Sequence, residues 1–344
     1  MIKVAPQFIA HGHFADFVGR LMAVTPVVAP VAKKNKFVFA RLERAEEIRL
    51  DYDVTLLPPK KVFFPVKQDL VAFSTQGVRS CIEPEPLILL GVHFYDIKAI
   101  DQLDYLFREN QVDYNYLAQR ECTTIVGSSI QSVSKRAFFA SVGVASKARG
   151  QDALLTKITD GYLFEVFTPK GEKLLPHGKL QTALPEHIQQ AQKAVEESMG
   201  KCPEKLKYSS SEIAAKVRQA FKSPVWEEMA ATCFSCGTCN IVCPTCYCFD
   251  VQDNWGLDQV SGTRTRAWDG CLTEEFAKVS LGAGACENFR EQRLARYRHR
   301  VLRKTAYLNP KLGGPACVGC GRCSAACVPD IADPVAIIHR IMEG

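Results

Sequence analysis

Two runs of cysteine constrain this chain more than any other feature. The first is Cys233-Phe-Ser-Cys236-Gly-Thr-Cys239-Asn-Ile-Val-Cys243-Pro244, a C-x2-C-x2-C-x3-C-P pattern. The second, Cys317-Val-Gly-Cys320-Gly-Arg-Cys323-Ser-Ala-Ala-Cys327-Val-Pro329, repeats it with one residue inserted before the proline. Three thiolates at this spacing wrap three irons of a cubane [4Fe–4S] cluster, and the fourth iron is bound from a distant cysteine. Where two such runs occur together, the fourth cysteine of each ligates the other cluster. The expected ligand sets are therefore Cys233, Cys236, Cys239 and Cys327 for one cluster, and Cys317, Cys320, Cys323 and Cys243 for the other. Gly237, Gly319 and Gly321 suit such loops, because backbone N–H groups must approach sulfur without a Cβ in the way. Structural zinc is the alternative, and it takes C-x2-C pairs or mixed Cys and His sets rather than two full triplets. It would make the chain a colourless interaction protein.

Twelve of the fifteen cysteines lie between Cys233 and Cys327, leaving Cys81, Cys122 and Cys202 upstream. The N-terminus shows no apolar stretch followed by a small-residue cleavage site, so no signal peptide is expected. In a reducing, cytoplasmic setting dense cysteine points to metal rather than to disulfides. At 344 residues and a formal net charge of +6 the chain has room for two domains and no strong polyelectrolyte character. No apolar run approaches the roughly 18 residues of a membrane span. The longest candidate, 21–32, is broken by Pro26 and Pro30.

The first two hundred residues read as α/β. Pro86–Val92, Thr123–Ile130 and Gly161–Thr168 are short apolar or β-branched runs of strand length. Ile100, Leu103, Leu106 and Phe107 recur at helical spacing between the first two, which predicts a parallel crossover. Pro58, Pro59 and Pro65 indicate a loop or edge, and 141–152 a surface loop. Helices are expected over 185–199, over 211–221, from Ser223-Pro224, over 290–307, and from Asp333-Pro334 with Val335, Ile338 and Ile341 inward. The expected division is an α/β scaffold or docking domain over 1–205 and a dicluster domain over 206–344. The 73 residues between Cys243 and Cys317 exceed what a compact bacterial ferredoxin inserts there, and they read as helical. The expected fold class is thus α+β, an N-terminal α/β domain followed by an α-helical ferredoxin-like domain.

Other features are less specific. Cys246, Cys248, Cys271 and Cys286 remain outside the two runs. Cys246 and Cys248 are expected to be buried beside a cluster or to form a redox pair, with Cys271 in the same pocket class. Residues 264–304 carry a net charge of +5, with Arg264, Arg266, Arg290, Arg293, Arg296, Arg298, Arg300 and Arg303. Without interleaved aromatics this is not a nucleic-acid signature, so charge compensation of clusters or docking of an acidic partner fits better. His11 and His13 lack acidic or cysteine partners in sequence and read as surface or structural residues rather than metal ligands. No flavin or nicotinamide fingerprint is visible, and no catalytic triad or paired-carboxylate site stands out.

The chain resembles an iron–sulfur family that includes an electron-transfer subunit of anaerobic sulfite reductase and the beta subunit of cytoplasmic sulfhydrogenases. The resemblance is carried by CFSCGTCNIVCPTCYC, by Arg264–Cys271, by ENFREQRLARYRHRVLRK and by CVGCGRC. Pro58–Pro65 and LLGVHFYDIKAIDQLDYLF carry it more loosely. It implies a hetero-oligomeric electron-transfer subunit seated between a flavin-containing partner and a catalytic or terminal acceptor subunit, in the cytoplasm, with anaerobic metabolism. It also implies that relatives hold a third, N-terminal cluster, through cysteines where this chain has Tyr95, Ile130, Ala137 and Phe139. None of these four can ligate iron, so that cluster is expected to be absent. A rival reading makes the chain itself a reductase of disulfide or sulfur, using Cys246 and Cys248 beside a cluster.

Overall fold

The computed structural model describes residues 4–143 and 150–344. Its centre is an eight-stranded mixed sheet. In spatial order the strands are Gln181–Thr182, Gln7–Ala10, Gly161–Val166, Ala153–Ile158, Thr123–Ser128, Leu87–Val92, Val27–Lys33 and Lys36–Arg41. The inner strands Val27–Lys33, Leu87–Val92, Thr123–Ser128 and Ala153–Ile158 run parallel, and the outer pairings are antiparallel. The expected strand–helix–strand crossover is present, with the helix Phe94–Leu106 leading from one parallel strand towards the next.

Leu87–Val92 shows why this sheet has helices on both faces. It has no polar alternation, and both of its faces are buried, as parallel strands require. Ile88 and Leu90 pack with Phe17, Val18 and Leu21 of the helix His11–Val24. Leu89 points the other way, into a cluster with Ile97, Ile100 and Leu103. The helix Pro185–Gly200 covers the Ala153–Ile158 side, and 201–209 leads to the helix Ser210–Gln219. The surface loop expected over 141–152 is partly replaced by order: Phe139–Val142 is a 3-10 turn, and Gln151 and Asp152 are buried. Residues 144–149 of that stretch lie outside the described residues.

The helical reading of the long insert is corrected. Phe249–Trp255 and Gly262–Trp268 form an antiparallel hairpin, and Lys278–Gly282 with Ala285–Asn288 form a second. The local chemistry favours strand there. Asp258 closes the first turn by accepting from Val260 N, Ser261 N and Ser261 Oγ, and the positive φ of Gln259 beside it stops a helix from continuing through the turn. Asp253 and Arg264 face each other across the hairpin and pair at 2.7 Å. In the second turn Gly282, Ala283 and Gly284 all have positive φ. The strand Gly262–Trp268 also pairs with Lys67–Ser74, which pairs in turn with Gly77–Ser80. One four-stranded sheet is therefore shared between the N-terminal and cysteine-rich regions.

Helices do surround the cysteines: Val225–Ala230, Arg293–Leu302 and Pro334–Glu343, with short turns Thr238–Ile241 and Arg322–Ala326 inside the two motifs. Val335, Ile337, Ile338 and Ile341 face inward as expected. The basic helix starts at Arg293 and continues as a π-turn over Arg303–Tyr307. Among the described residues no helix is long and apolar enough to cross a membrane.

A buried ion pair ties the two regions together. Arg322, inside the second motif, bonds both Asp96 carboxylate oxygens at 2.7 Å, and also the Thr55 carbonyl and hydroxyl. Both charged side chains are almost wholly inaccessible. Removing one member of such a pair leaves the other charge stranded, at a cost of about 3–5 kcal/mol. Asp96→Ala is therefore expected to lower the denaturation midpoint sharply. The double change Asp96→Leu with Arg322→Met should recover most of the loss, as read by urea unfolding of anaerobic protein.

Candidate metal centre

The two cysteine motifs, 73 residues apart in sequence, meet in space. The short helix Thr238–Ile241 of one packs against Arg322–Ala326 of the other. Each helix is entered through a left-handed glycine, Gly237 or Gly321. The glycines of the second motif answer a demand that the sequence did not show. A Cβ on Gly319 would stand 2.5 Å from Phe139 N, and one on Gly321 would stand 2.6 Å from the Arg136 carbonyl group. Phe138 N donates to the Gly319 carbonyl at 2.8 Å. The second motif is thus seated directly on N-terminal backbone, in addition to needing positive φ.

Around these motifs the thiols ring two cavities. Cys233, Cys236, Cys239 and Cys327 line one, closed by Leu272, Tyr297 and Ile331. Cys243, Cys317, Cys320 and Cys323 line the other, closed by Phe138, Val301 and Ile338. Each cavity thus takes three thiols from one motif and one from the other. Among the described residues no three His, Cys, Asp or Glu groups are gathered closely enough for a single metal ion. The thiols instead surround space, as a polynuclear cluster needs.

Several cations converge on that space. Arg300 is buried, donates to the Cys239 carbonyl at 3.2 Å, and borders both cavities. Its Nε has no partner, an arrangement that anionic sulfur nearby would complete. One turn further along, Lys304 donates to Thr245 Oγ1 at 2.7 Å. Burial works against its charge, but the Cys243 and Cys246 thiolates more than offset this and its pKa is raised. Burial pushes Cys239 up to about 12, with Arg300 opposing, and Cys317 also to about 12. Cys236 is the exposed member of its set, and bonds to Thr238 hold its thiol below the usual range. These donors fit [4Fe–4S] groups: four thiols per cavity, compensating cations, and apolar side chains excluding water.

The remaining cysteines separate. Cys246, Cys248 and Cys271 gather around a third cavity beside the second. Cys286 stands exposed on the hairpin strand Ala285–Asn288. Cys202 is buried and contacts the Ala137 carbonyl. Tyr95, Ile130, Ala137 and Phe139, spread over more than forty positions of the sequence, lie in one buried apolar cluster that also includes Val318 and Cys320. The Tyr95 and Phe139 rings sit 5.6 Å apart, and Tyr95 Oη donates to the Asp53 carbonyl at 3.0 Å. Sequence reasoning did not find Lys60, Asp96, Asn240 and Lys304, nor the buried roles of Arg300 and Arg322. Only the arginine embedded in CVGCGRC carried a local hint.

A family model described as a 4Fe-4S dicluster domain matches residues 232–331. The chain is 32% identical over 333 residues to sulfhydrogenase 2 subunit beta of Pyrococcus furiosus, a match covering 96% of this chain and 97% of that protein. No solved structure matches.

Proposed function

This chain belongs to the sulfhydrogenase beta-subunit family of iron–sulfur electron-transfer proteins, and from that premise we propose that it relays electrons through two [4Fe–4S] clusters between a flavoprotein partner and a catalytic subunit of a cytoplasmic oxidoreductase complex. The observation that carries this reading is the pair of cavities, each lined by three cysteines of one motif and the fourth of the other. Cys233, Cys236, Cys239 and Cys327 would hold one cluster, and Cys317, Cys320, Cys323 and Cys243 the other. When bound, each cluster accepts and releases one electron at a time, at a potential set by hydrogen bonds, charge and burial.

The chain's own residues would set those conditions. Arg300 borders both cavities, so its charge stabilises the more negative state of either site. Tyr297, whose hydroxyl donates to the Ile331 carbonyl at 2.8 Å, keeps one wall of the first cavity dry. Each set has two buried cysteines, Cys233 and Cys239 in the first and Cys320 and Cys323 in the second, but only the first has an exposed one, Cys236, with the neighbouring Phe234 exposed as well. The first site would therefore face an external electron partner, and the second would pass charge inward. The N-terminal region, with non-ligating side chains at Tyr95, Ile130, Ala137 and Phe139, would serve as scaffold rather than as a further redox site.

Anaerobically purified protein with either Cys236→Ser or Cys320→Ser should lose one cluster, about four irons, and keep the other. Unchanged iron in both variants would refute the ligand assignment. Arg300→Met should shift at least one reduction potential downward by on the order of 59 mV, a tenfold change for a one-electron couple. Potentiometric EPR titration reads that shift, and an unchanged potential would remove Arg300 from its assigned role.

A further inference from the structure

The third cavity is the largest thiol-lined space described in the cysteine-rich region, and the two-cluster reading leaves it without a purpose. It measures about 210 Å3, against about 40 Å3 and about 30 Å3 for the two motif cavities, and three thiols reach it: Cys246, Cys248 and Cys271. They arrive from different segments. Cys246 and Cys248 follow the first motif directly, while Cys271 comes from the turn after the strand Gly262–Trp268. The segment after the hairpin strand Gly262–Trp268 thus brings a cysteine to the cavity that Cys246 and Cys248 line.

Asn240 marks this as a built site. It is buried, and its Nδ2 group donates to two of the thiol sulfurs, Cys246 Sγ at 3.6 Å and Cys271 Sγ at 3.4 Å. Its Oδ1 has no partner, although buried amide oxygens are normally satisfied. An amide donating to thiolate sulfur is the kind of bond that tunes an iron–sulfur centre. Gly270 is pressed against the same side chain, since a Cβ there would lie 2.6 Å from Asn240 Cβ. The amide is fixed in place.

Positive charge is also collected here, partly by cations shared with the second motif cavity. Lys60, only 2% exposed, comes from the N-terminal region, donates to the Cys246 carbonyl and lies 4.2 Å from the Trp268 ring centroid. Arg303 donates to the Tyr247 hydroxyl, and Arg300 and Lys304 line both this cavity and the second motif cavity. Three cations lining a cavity with three neutral thiols, and Lys60 bonded to the Cys246 carbonyl beside it, would be a costly arrangement. Facing three thiolates and an anionic inorganic core, they are balanced.

We propose that this cavity holds a third iron–sulfur cluster, a [4Fe–4S] cube bound by Cys246, Cys248 and Cys271, whose fourth iron faces the open part of the cavity. The proposal extends the two-cluster reading and rests on it. Cys246 lies three residues after Cys243, assigned above to the second cluster, so the new site continues the relay through a short covalent path. Its open iron would accept a small anionic or neutral donor rather than a fourth cysteine.

The test is iron and acid-labile sulfide on the full-length protein, purified and reconstituted without oxygen, with EPR of the reduced sample. The wild-type chain should carry about twelve irons matched by about twelve sulfides, and Cys271→Ser about eight of each. Cys248→Ser should lose the same third of the iron, which provides a second reading if one variant folds poorly. A wild-type count near eight, unchanged in these variants, would overturn the proposal while leaving the two-cluster relay intact. Iron in excess of sulfide, or a Cys271→Ser protein still near twelve, would overturn it too. A result near four in the wild type would instead count against the two-cluster reading itself.

Discussion

Cysteines can bind a cluster as thiolates inside a protein only beside counter-charge, and the buried cations that supply it here organise the rest of this structure. They come from separate parts of the chain. Arg300 and Lys304 lie one turn apart on the basic helix and its π-continuation, so their side chains reach the same side. Lys60 is brought by the proline-flanked 3-10 turn Pro59–Val62, and Arg322 by the second cysteine motif. Taking such charges out of water costs several kcal/mol each unless partners repay it. The thiols and cations are therefore interdependent, and placing them requires both regions of the chain at once. This accounts for a four-stranded sheet built from strands nearly two hundred residues apart.

What the sequence revealed was the local chemistry. The C-x2-C-x2-C spacings specify loops that wrap a cluster, because three thiols within seven residues leave the backbone little freedom. Leu87–Val92 announced a buried parallel strand through unbroken apolar character, and Pro334–Glu343 a helix through its Asp cap and spaced isoleucines. In the insert, the segment 249–268 carries turn residues and Thr–Arg alternation between stretches of helical pattern, and its strands form only through pairing. The decisive signals were the Asp258 turn and a cross-strand Asp253–Arg264 pair, which depend on pairing. Arginines in a basic stretch read alike in sequence. Arg264 lies on the surface while Arg266, Arg296 and Arg300 are buried, and only tertiary context separates them.

The glycines show the same limit from another side. Gly319 and Gly321 looked like residues chosen for closeness to sulfur. In the fold their hydrogens also make room for the backbone of Arg136–Phe139. That segment brings Ala137 and Phe139 into an apolar cluster with Tyr95 and Ile130, against Val318 and Cys320. The N-terminal region thus forms a wall of the second motif cavity, and Phe138 lines it directly. Through that wall the N-terminal region can govern the cavity, by deciding how much water and how much charge reach it.

The three cavities then form an ordered set rather than a collection. The first opens towards solvent at Cys236, the second lies beneath the N-terminal wall, and the third shares Thr245, Arg300 and Lys304 with the second. Among the described residues Arg300 alone borders all three. In a low-dielectric interior one charge acts on every site it faces, so its position couples their energies. A fixed cation lowers the energy of negative charge in each cavity it borders, by an amount that falls with its distance from that charge. If the cavities hold clusters, Arg300 is therefore the one described side chain whose charge bears on the energy of added electrons in all of them, and its removal would be felt at more than one site at once.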